Sequence, residues 1–399
     1  MYFQITFLLL LLPLFHIAAS SLLLDDEDSG VQIEHGRAKR QMMKSGAKWK
    51  NGVVNYYFDE TNKPDRVKTM LSAMDYIASQ TCIEFKNDSA AAQRLKINGA
   101  VRTGCSSDVG APGTLVSQTG TAVLHFENCP TMGSAVHELS HSLGSFHEHN
   151  RPDRDQYLDV DMAEVKRIGA QRNMGTQPAG MVLTYVPFEY GSCMMYDTMK
   201  YKTRLMKPKQ PEYERTMGNR RVGFYDIEKI NKYYNCKCEK ELKCDNGGYT
   251  NPANCSKCVC PKGYFGDLCN QRPRQNYHEL AAATYFQQKT IEFKYNFTGD
   301  NFNYYTSTFV YINAPNNTPV QIMLREMNGI VCENGCNQNG IEIKTRSDIK
   351  SVSPIVCCKD QEFSKQIFTS KNNPTIIELY SSVANNATVT FLYRLMPFE

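Results

Sequence analysis

The run His137-Glu138-Leu139-Ser140-His141-Ser142-Leu143-Gly144-Ser145-Phe146-His147-Glu148 has the residue types and spacing for metal-assisted hydrolysis. His137 and His141 are four positions apart, so on a helix their imidazoles lie one turn apart on one face and can share one ion. Glu138 lies beside that face, near enough to reach a metal-bound water. Gly144 can take a left-handed conformation that ends the helix and lets the chain return with His147 as a third ligand. Three neutral nitrogens with an open fourth position describe a catalytic zinc site rather than a structural one. In a chain of 399 residues with 8 histidines, a bare His-Glu-x-x-His arises by chance about once in a hundred such chains, and adding Gly144 and His147 lowers that to roughly one in 10⁵.

The elements that must position this run begin at Trp49. Val53, Val54, Tyr56, Tyr57 and Phe58 read as a strand, and residues 67–83 as an amphipathic helix. Mixed helix and strand continue to Cys236. Six cysteines then fall within 32 residues, a segment too small to bury a core without staples. From residue 275 onward, residues 290–295, 308–312, 320–324, 375–380 and 388–393 are short β-branched and aromatic runs that predict an antiparallel sandwich of jelly-roll type.

Composition sets the surroundings. Apolar residues at 41% and charged residues at 22% exclude wholesale disorder, and a net charge of +4 is too small to suggest nucleic acid as the main partner. Fifteen cysteines suit an exported, disulfide-bonded protein. Residues 7–14 are apolar, interrupted by Pro13 and followed by Ala18, Ala19 and Ser20, as in a signal peptide over 1–20. No later segment approaches a membrane span. Residues 21–40 read as a flexible propeptide carrying Asp25, Asp26, Glu27 and Asp28, and ending at Arg37-Ala38-Lys39-Arg40, a convertase-type site or else a solvated basic linker. In an exported chain, acceptor sequons at Asn87, Asn296, Asn316 and Asn386 would place glycans on surface loops.

The histidine run resembles the extended motif of the metzincin metallopeptidases, and Glu148 after the third histidine is the mark of the astacin family within them. His149-Asn150-Arg151-Pro152-Asp153-Arg154-Asp155 resembles that family closely, as does Tyr190-Gly191-Ser192-Cys193-Met194-Met195-Tyr196, which matches its Met-turn. Two positions depart from the family: Met195 stands where histidine is usual, and Cys193 where an aliphatic is usual. The remainder resembles the EGF-like plus CUB tail of nematode members. The resemblance implies an α+β metzincin peptidase domain over 41–236, an EGF-like module over 237–270 and an all-β CUB-like sandwich over 275–399.

The same resemblance implies one zinc ion per chain held by His137, His141 and His147, with Glu138 as general base. Tyr196 would be a displaceable further ligand and oxyanion donor, and Met194 the apolar floor under the metal. Cleavage after Arg40 would bury the new ammonium of Gln41 near Glu148. Disulfides implied by the family are Cys82 with Cys236, Cys105 with Cys129, Cys238 with Cys255, Cys244 with Cys258, and Cys260 with Cys269. Cys332, Cys336, Cys357 and Cys358 leave their pairing open. The odd count leaves Cys193 as the natural unpaired thiol, expected to be a small buried hydrophobe. A secreted zinc endopeptidase acting on protein or peptide substrates, matrix proteins among them, is the leading reading. An inactive matrix-binding protein is the rival. With no recognised catalytic cluster, the tail is expected to localise the enzyme or select substrates, so its removal should spare small-peptide hydrolysis.

Overall fold

The computed structural model describes residues 23–25, 42–44, 48–100, 104–113, 119–129, 131–178, 183–295, 305–359 and 365–397. The signal segment, most of the leader, Gln41 and the Asn296 sequon lie outside the described residues. The first half runs β1 (Leu23–Asp25), β2 (Val53–Phe58), α1 (Pro64–Ala78), β3 (Glu84–Asn87), β4 (Arg94–Asn98), β5 (Ser106–Asp108), β6 (Thr121–His125) and α2 (Met132–Ser142). The sheet order is β1-β5-β6-β4-β2-β3. Strand β4 is parallel to β2 and β6, while β5 pairs antiparallel with β6.

Helix α1 buries Met70, Ala73, Met74 and Ile77, spaced i, i+3, i+4, i+7. That stripe shares one core with Val54, Leu95, Ile97 and Leu124 of the sheet and with Ala135, Val136 and Leu139 of α2. The helix is displaced from the expected 67–83. Pro64 opens it earlier, at a first-turn position where its missing N–H costs nothing. It stops at Ala78 because Cys82 is tied to Cys236 and Ile83 leads into β3.

A second apolar core, with little regular structure, includes Leu158, Val165, Phe188, Tyr190, Met195, Tyr196 and Tyr213. Its elements are β7 (Leu158–Val160), α3 (Met162–Arg167), α4 (Gln171–Met174) and β8 (Met206–Pro208), while α5 (Phe224–Tyr234) returns to the first core with Ile227 and Ile230. The cysteine-rich segment holds only the hairpin β9 (Tyr249–Thr250) and β10 (Cys258–Val259). The sandwich follows, with β11 (Tyr277–Ala281), β12 (Gln287–Tyr295), β13 (Thr306–Asn313), β14 (Val320–Asn328), β15 (Asn339–Ile343), β16 (Ile355–Val356), β17 (Phe368–Ser370), β18 (Thr375–Ser381) and β19 (Asn385–Leu395). Sheets β11-β13-β18-β15-β16 and β12-β19-β14-β17 enclose a core that includes Phe293, Val310, Leu324, Ile341, Leu379 and Phe391.

Three expectations change. The sandwich is not wholly antiparallel, because β11 pairs parallel with β13; this edge strand is fed by the cysteine-rich segment rather than by a hairpin. The leader is not wholly unstructured, since β1 adds antiparallel to the exposed edge of β5. The tail, expected to be removable without effect on small-peptide hydrolysis, is packed into the preceding chain: Arg221 is buried against Glu342 and Glu378 of the sandwich. Such burial reflects charges that had to be matched in three dimensions, which local sequence pattern does not record.

Seven bridges form, those implied by the resemblance together with Cys332–Cys358 and Cys336–Cys357. Cys255 and Cys258 belong to different bridges, so the pair holds no metal. Cys193 is the free cysteine, fully buried, and desolvation and then the Asp226 carboxylate push its thiol pKa up.

Candidate metal centre

Helix α2 starts at an N-cap threonine, Thr131, whose side chain accepts from Ser134 N–H. All of its residues are buried, because it lies between the two apolar cores. The helix ends where Gly144 takes φ +101°. Gly144 N–H then donates to His141 O at 2.8 Å and Ser145 N–H to Ser140 O at 2.9 Å, which closes the last turn. This turn also orients a ligand. The Ser145 carbonyl accepts from His141 Nδ1 at 2.7 Å.

The chain leaves the turn through Phe146, and Glu148 N–H donates to Met194 O at 2.8 Å. That bond registers His147 against the Met-turn. The turn itself is held by Asp226 on α5, whose carboxylate accepts from Ser192 Oγ at 2.5 Å, Cys193 N–H at 3.0 Å and Gly223 N–H at 2.9 Å. In return the Cys193 carbonyl accepts from His137 Nδ1 at 2.6 Å.

These bonds decide the ring tautomers. A carbonyl only accepts, so Nδ1 carries the proton in His137 and His141, and each Nε2 presents a lone pair. The His147 Nε2 lies 3.2 Å from Nε2 of both His137 and His141, and all three rings are fully buried. Ligand nitrogens of the three histidines fall within 4.8 Å of one another. Nitrogens 3.2 Å apart are spaced as neighbouring ligands of one ion held at about 2.0–2.1 Å. The donor set, three imidazoles of which two are oriented by backbone carbonyls, fits zinc.

Glu138 is fully buried on the same helix, next to His137. Tyr196, also fully buried, places its ring 4.3 Å from the rings of His147 and His149. Met194 is fully buried in the Met-turn. Glu148 is met by Arg151 Nη1 at 3.0 Å, Glu189 N–H at 3.2 Å and Lys229 Nζ at 3.9 Å. Its carboxylate therefore has cations from within the folded domain, while the Gln41 ammonium that the resemblance implies near it lies outside the described residues. Asp226 and Arg220 escaped the sequence reading, and His149 entered it only as part of a family motif with no role of its own. Asp226 lies 34 residues from Ser192, and no local spacing marks it.

A buried three-histidine cluster on a helix and its exit turn, hydrogen-bonded to the turn that carries Met194, defines a metallopeptidase of the zinc type. Residues 41–235 match the family model described as Astacin, a peptidase family. The chain is 45% identical to zinc metalloproteinase nas-19 of Caenorhabditis elegans, over 93% of this chain and 92% of that one. It is also 45% identical to zinc metalloproteinase nas-24 of the same organism, over 90% and 89%. High choriolytic enzyme 1, a hatching enzyme zinc-protease from Oryzias latipes, is 27% identical and covers 49% of this chain and 100% of its own, with a TM-score of 0.42. The chain belongs to the astacin family of zinc metallopeptidases, and its three-histidine group fits the zinc that family uses. Membership, with the intact cluster, favours the protease reading over the inactive matrix-binding one. No helix among the described residues is long and apolar enough to cross a membrane.

Proposed function

We propose that the chain is a secreted endopeptidase that hydrolyses internal peptide bonds, with His137, His141 and His147 holding one zinc ion and Glu138 serving as general base. The observation that carries this is the convergence of three imidazole Nε2 atoms, two of them oriented by backbone carbonyls. When bound, zinc supplies Lewis acidity, lowering the pKa of water to about 7 and polarising the scissile carbonyl. Glu138 takes the proton of the attacking water and delivers it to the leaving amine. Its burial beside the ligands keeps it from bulk water and makes its proton transfers local.

Tyr196 has two roles in this scheme. Its hydroxyl would be a displaceable further ligand to the ion, and during reaction it would donate to the oxygen that becomes anionic as the amide turns tetrahedral. Met194 forms the apolar floor. Residues 1–20 act as a signal peptide and 21–40 as a propeptide removed after Arg40, a reading supported by a β1 strand that lies against the edge of the catalytic sheet. The side chains of Asn87, Asn316 and Asn386 are exposed as glycan acceptors must be, although Asn87 and Asn386 lie on strands rather than loops. The cysteine-rich segment over 237–270 is EGF-like and the sandwich over 275–399 is CUB-like. Extracellular matrix proteins are the substrate class that suits such modules.

The purified chain starting at Gln41 is expected to hold about one zinc and to cleave denatured protein, with chelation abolishing cleavage and zinc restoring it. Metal analysis beside a quenched-peptide assay checks this. Full activity in the metal-free chain would end the proposal. Tyr196→Phe should lower kcat by about 10²–10³ while KM changes little, as for loss of one oxyanion donor. A wild-type kcat in that variant would remove Tyr196 from the scheme.

A further inference from the structure

Adjacent residues Arg220 and Arg221 face in two directions. The buried guanidinium of Arg221 lies 2.6 Å from Glu378 and 3.4 Å from Glu342, and 3.7 Å over the ring of Tyr380. Both carboxylates are buried sandwich residues. Ser307 Oγ donates to Glu378 at 2.6 Å, and Lys344 lies 2.6 Å from Glu342. Burial alone would raise the pKa of Glu378, but the charges of Arg221 and Lys262 outweigh it and hold the carboxyl at about 2. Removing Arg221 would leave Glu378 with only the more distant Lys262, at 3.9 Å, and removing Glu378 would leave Arg221 with only the longer pair to Glu342, so a buried charge would be under-compensated in either case.

Arg220 faces the metal centre. Its N–H donates to Asn337 of the sandwich at 2.7 Å, and its guanidinium donates to the carbonyls of Cys193 at 3.1 Å and Met195 at 3.3 Å. The Cys193 carbonyl is the one that accepts from His137 Nδ1. The carbonyl of Arg220 abuts Gly133 on α2, one turn before His137, so closely that any side chain there would collide. The Met-turn is bracketed from its other side as well. Val352 of the sandwich is seated on Gly191, its N–H donates to Glu189 at 3.1 Å, and Ile355 N–H donates to Thr216 Oγ1 at 2.8 Å. Inter-domain contacts that only tether are polar and solvent-accessible. This one is buried, and it ends on the backbone that orients a metal ligand.

We propose that the C-terminal sandwich is a working part of the metal centre: Glu342 and Glu378 grip Arg221 and thereby fix Arg220, which holds the Cys193 carbonyl that orients His137. Arg220, Arg221, Glu342 and Glu378 are positioning residues, remote from the substrate. The proposal rests on the three histidines binding zinc. It reverses the expectation that removing the tail spares small-peptide hydrolysis.

The test uses the full mature chain in five variant forms: Arg220→Ala, Arg220→Lys, Glu342→Gln with Glu378→Gln, Asn337→Ala, which removes the sandwich contact to Arg220 without uncovering a charge, and Val389→Ala as a stability control. Each is loaded with zinc to measure release to a chelator, and with cobalt(II) to record the visible absorption bands that report ligand geometry. Outer-shell partners of metal ligands typically change metal affinity 10–100-fold. Zinc release should accelerate by about that factor in Arg220→Ala and the glutamine pair, with shifted cobalt bands and a fall in kcat larger than any change in KM; Arg220→Lys should restore part of the loss. Val389→Ala, in the core of the far sheet, should lower the melting temperature and leave the bands unchanged. Wild-type bands and zinc release in both Asn337→Ala and the glutamine pair overturn the proposal, and if the pair does not fold, Asn337→Ala alone decides. A wild-type chain that binds zinc but cleaves no peptide would count against the peptidase reading, while shifted bands in the variants would still support the positioning role.

Discussion

Glu138→Ala should retain zinc and lose peptide hydrolysis by about 10²–10⁴-fold, the range that one positioned general acid–base contributes. The metal is expected to stay because two of the three ligands take their orientation from the backbone. His137 is held by the Cys193 carbonyl and His141 by the Ser145 carbonyl, both of them backbone groups that the substitution leaves in place. The helix should survive too, since alanine is the best helix former and Thr131 still caps the first turn. Metal stoichiometry, circular dichroism and peptide turnover on the same sample separate the outcomes. Activity within tenfold of wild type would sink the general-base assignment. Loss of zinc together with activity would make Glu138 a support for the ligands instead.

What the sequence disclosed depended on how local the determinant is. His137, His141, Gly144 and His147 lie within a span of 11 residues, so helical spacing and one glycine are enough to predict that they converge. The strand runs of the sandwich were legible for the same reason, since alternation and turn residues are short-range signals; the structure extends residues 320–324 to Val320–Asn328 and residues 388–393 to Asn385–Leu395. The supports of the site were not. Asp226 reaches Ser192 across 34 residues, Arg220 reaches Cys193 across 27, and Arg221 reaches Glu378 across 157. Each is one polar side chain on an otherwise ordinary stretch, and tertiary packing alone gives it a partner. The leader strand is a further case, because Leu23–Asp25 has no alternation of its own and is a strand only through the edge of β5.

The buried ion cluster beside the third ligand predicts the largest effect on stability. Arg151 is 1% exposed and pairs with Glu148, also 1% exposed, at 3.0 Å. Its guanidinium also grips both oxygens of Asp153 at 2.8 Å and the carbonyls of Val186 and Pro187 at 3.0 and 3.1 Å. Arg151→Met keeps much of the volume but strands a buried carboxylate and one buried acceptor, the Val186 carbonyl, and breaking such a pair costs about 3–5 kcal/mol. Lys229, 3.9 Å from Glu148, still offers a cation and keeps the effect near the lower end. For a domain of this size that corresponds to a melting temperature lower by roughly 6–12 °C. The effect should also depend on pH. Burial raises the Asp153 pKa, but the Arg151 hydrogen bond and charge outweigh it, so the folded value lies below the ordinary one. A depressed folded pKa contributes stability that is complete above the unfolded value of about 3.9 and disappears as pH falls through the folded one. Arg151→Met should therefore lose most at neutral pH and converge toward wild type in acid. Melting curves of the two proteins from neutral pH down to the acid limb test both statements. A variant that melts with wild type at neutral pH would mean that Lys229 alone satisfies Glu148. A gap that widened in acid would show that Asp153 is not held by Arg151 in the folded chain.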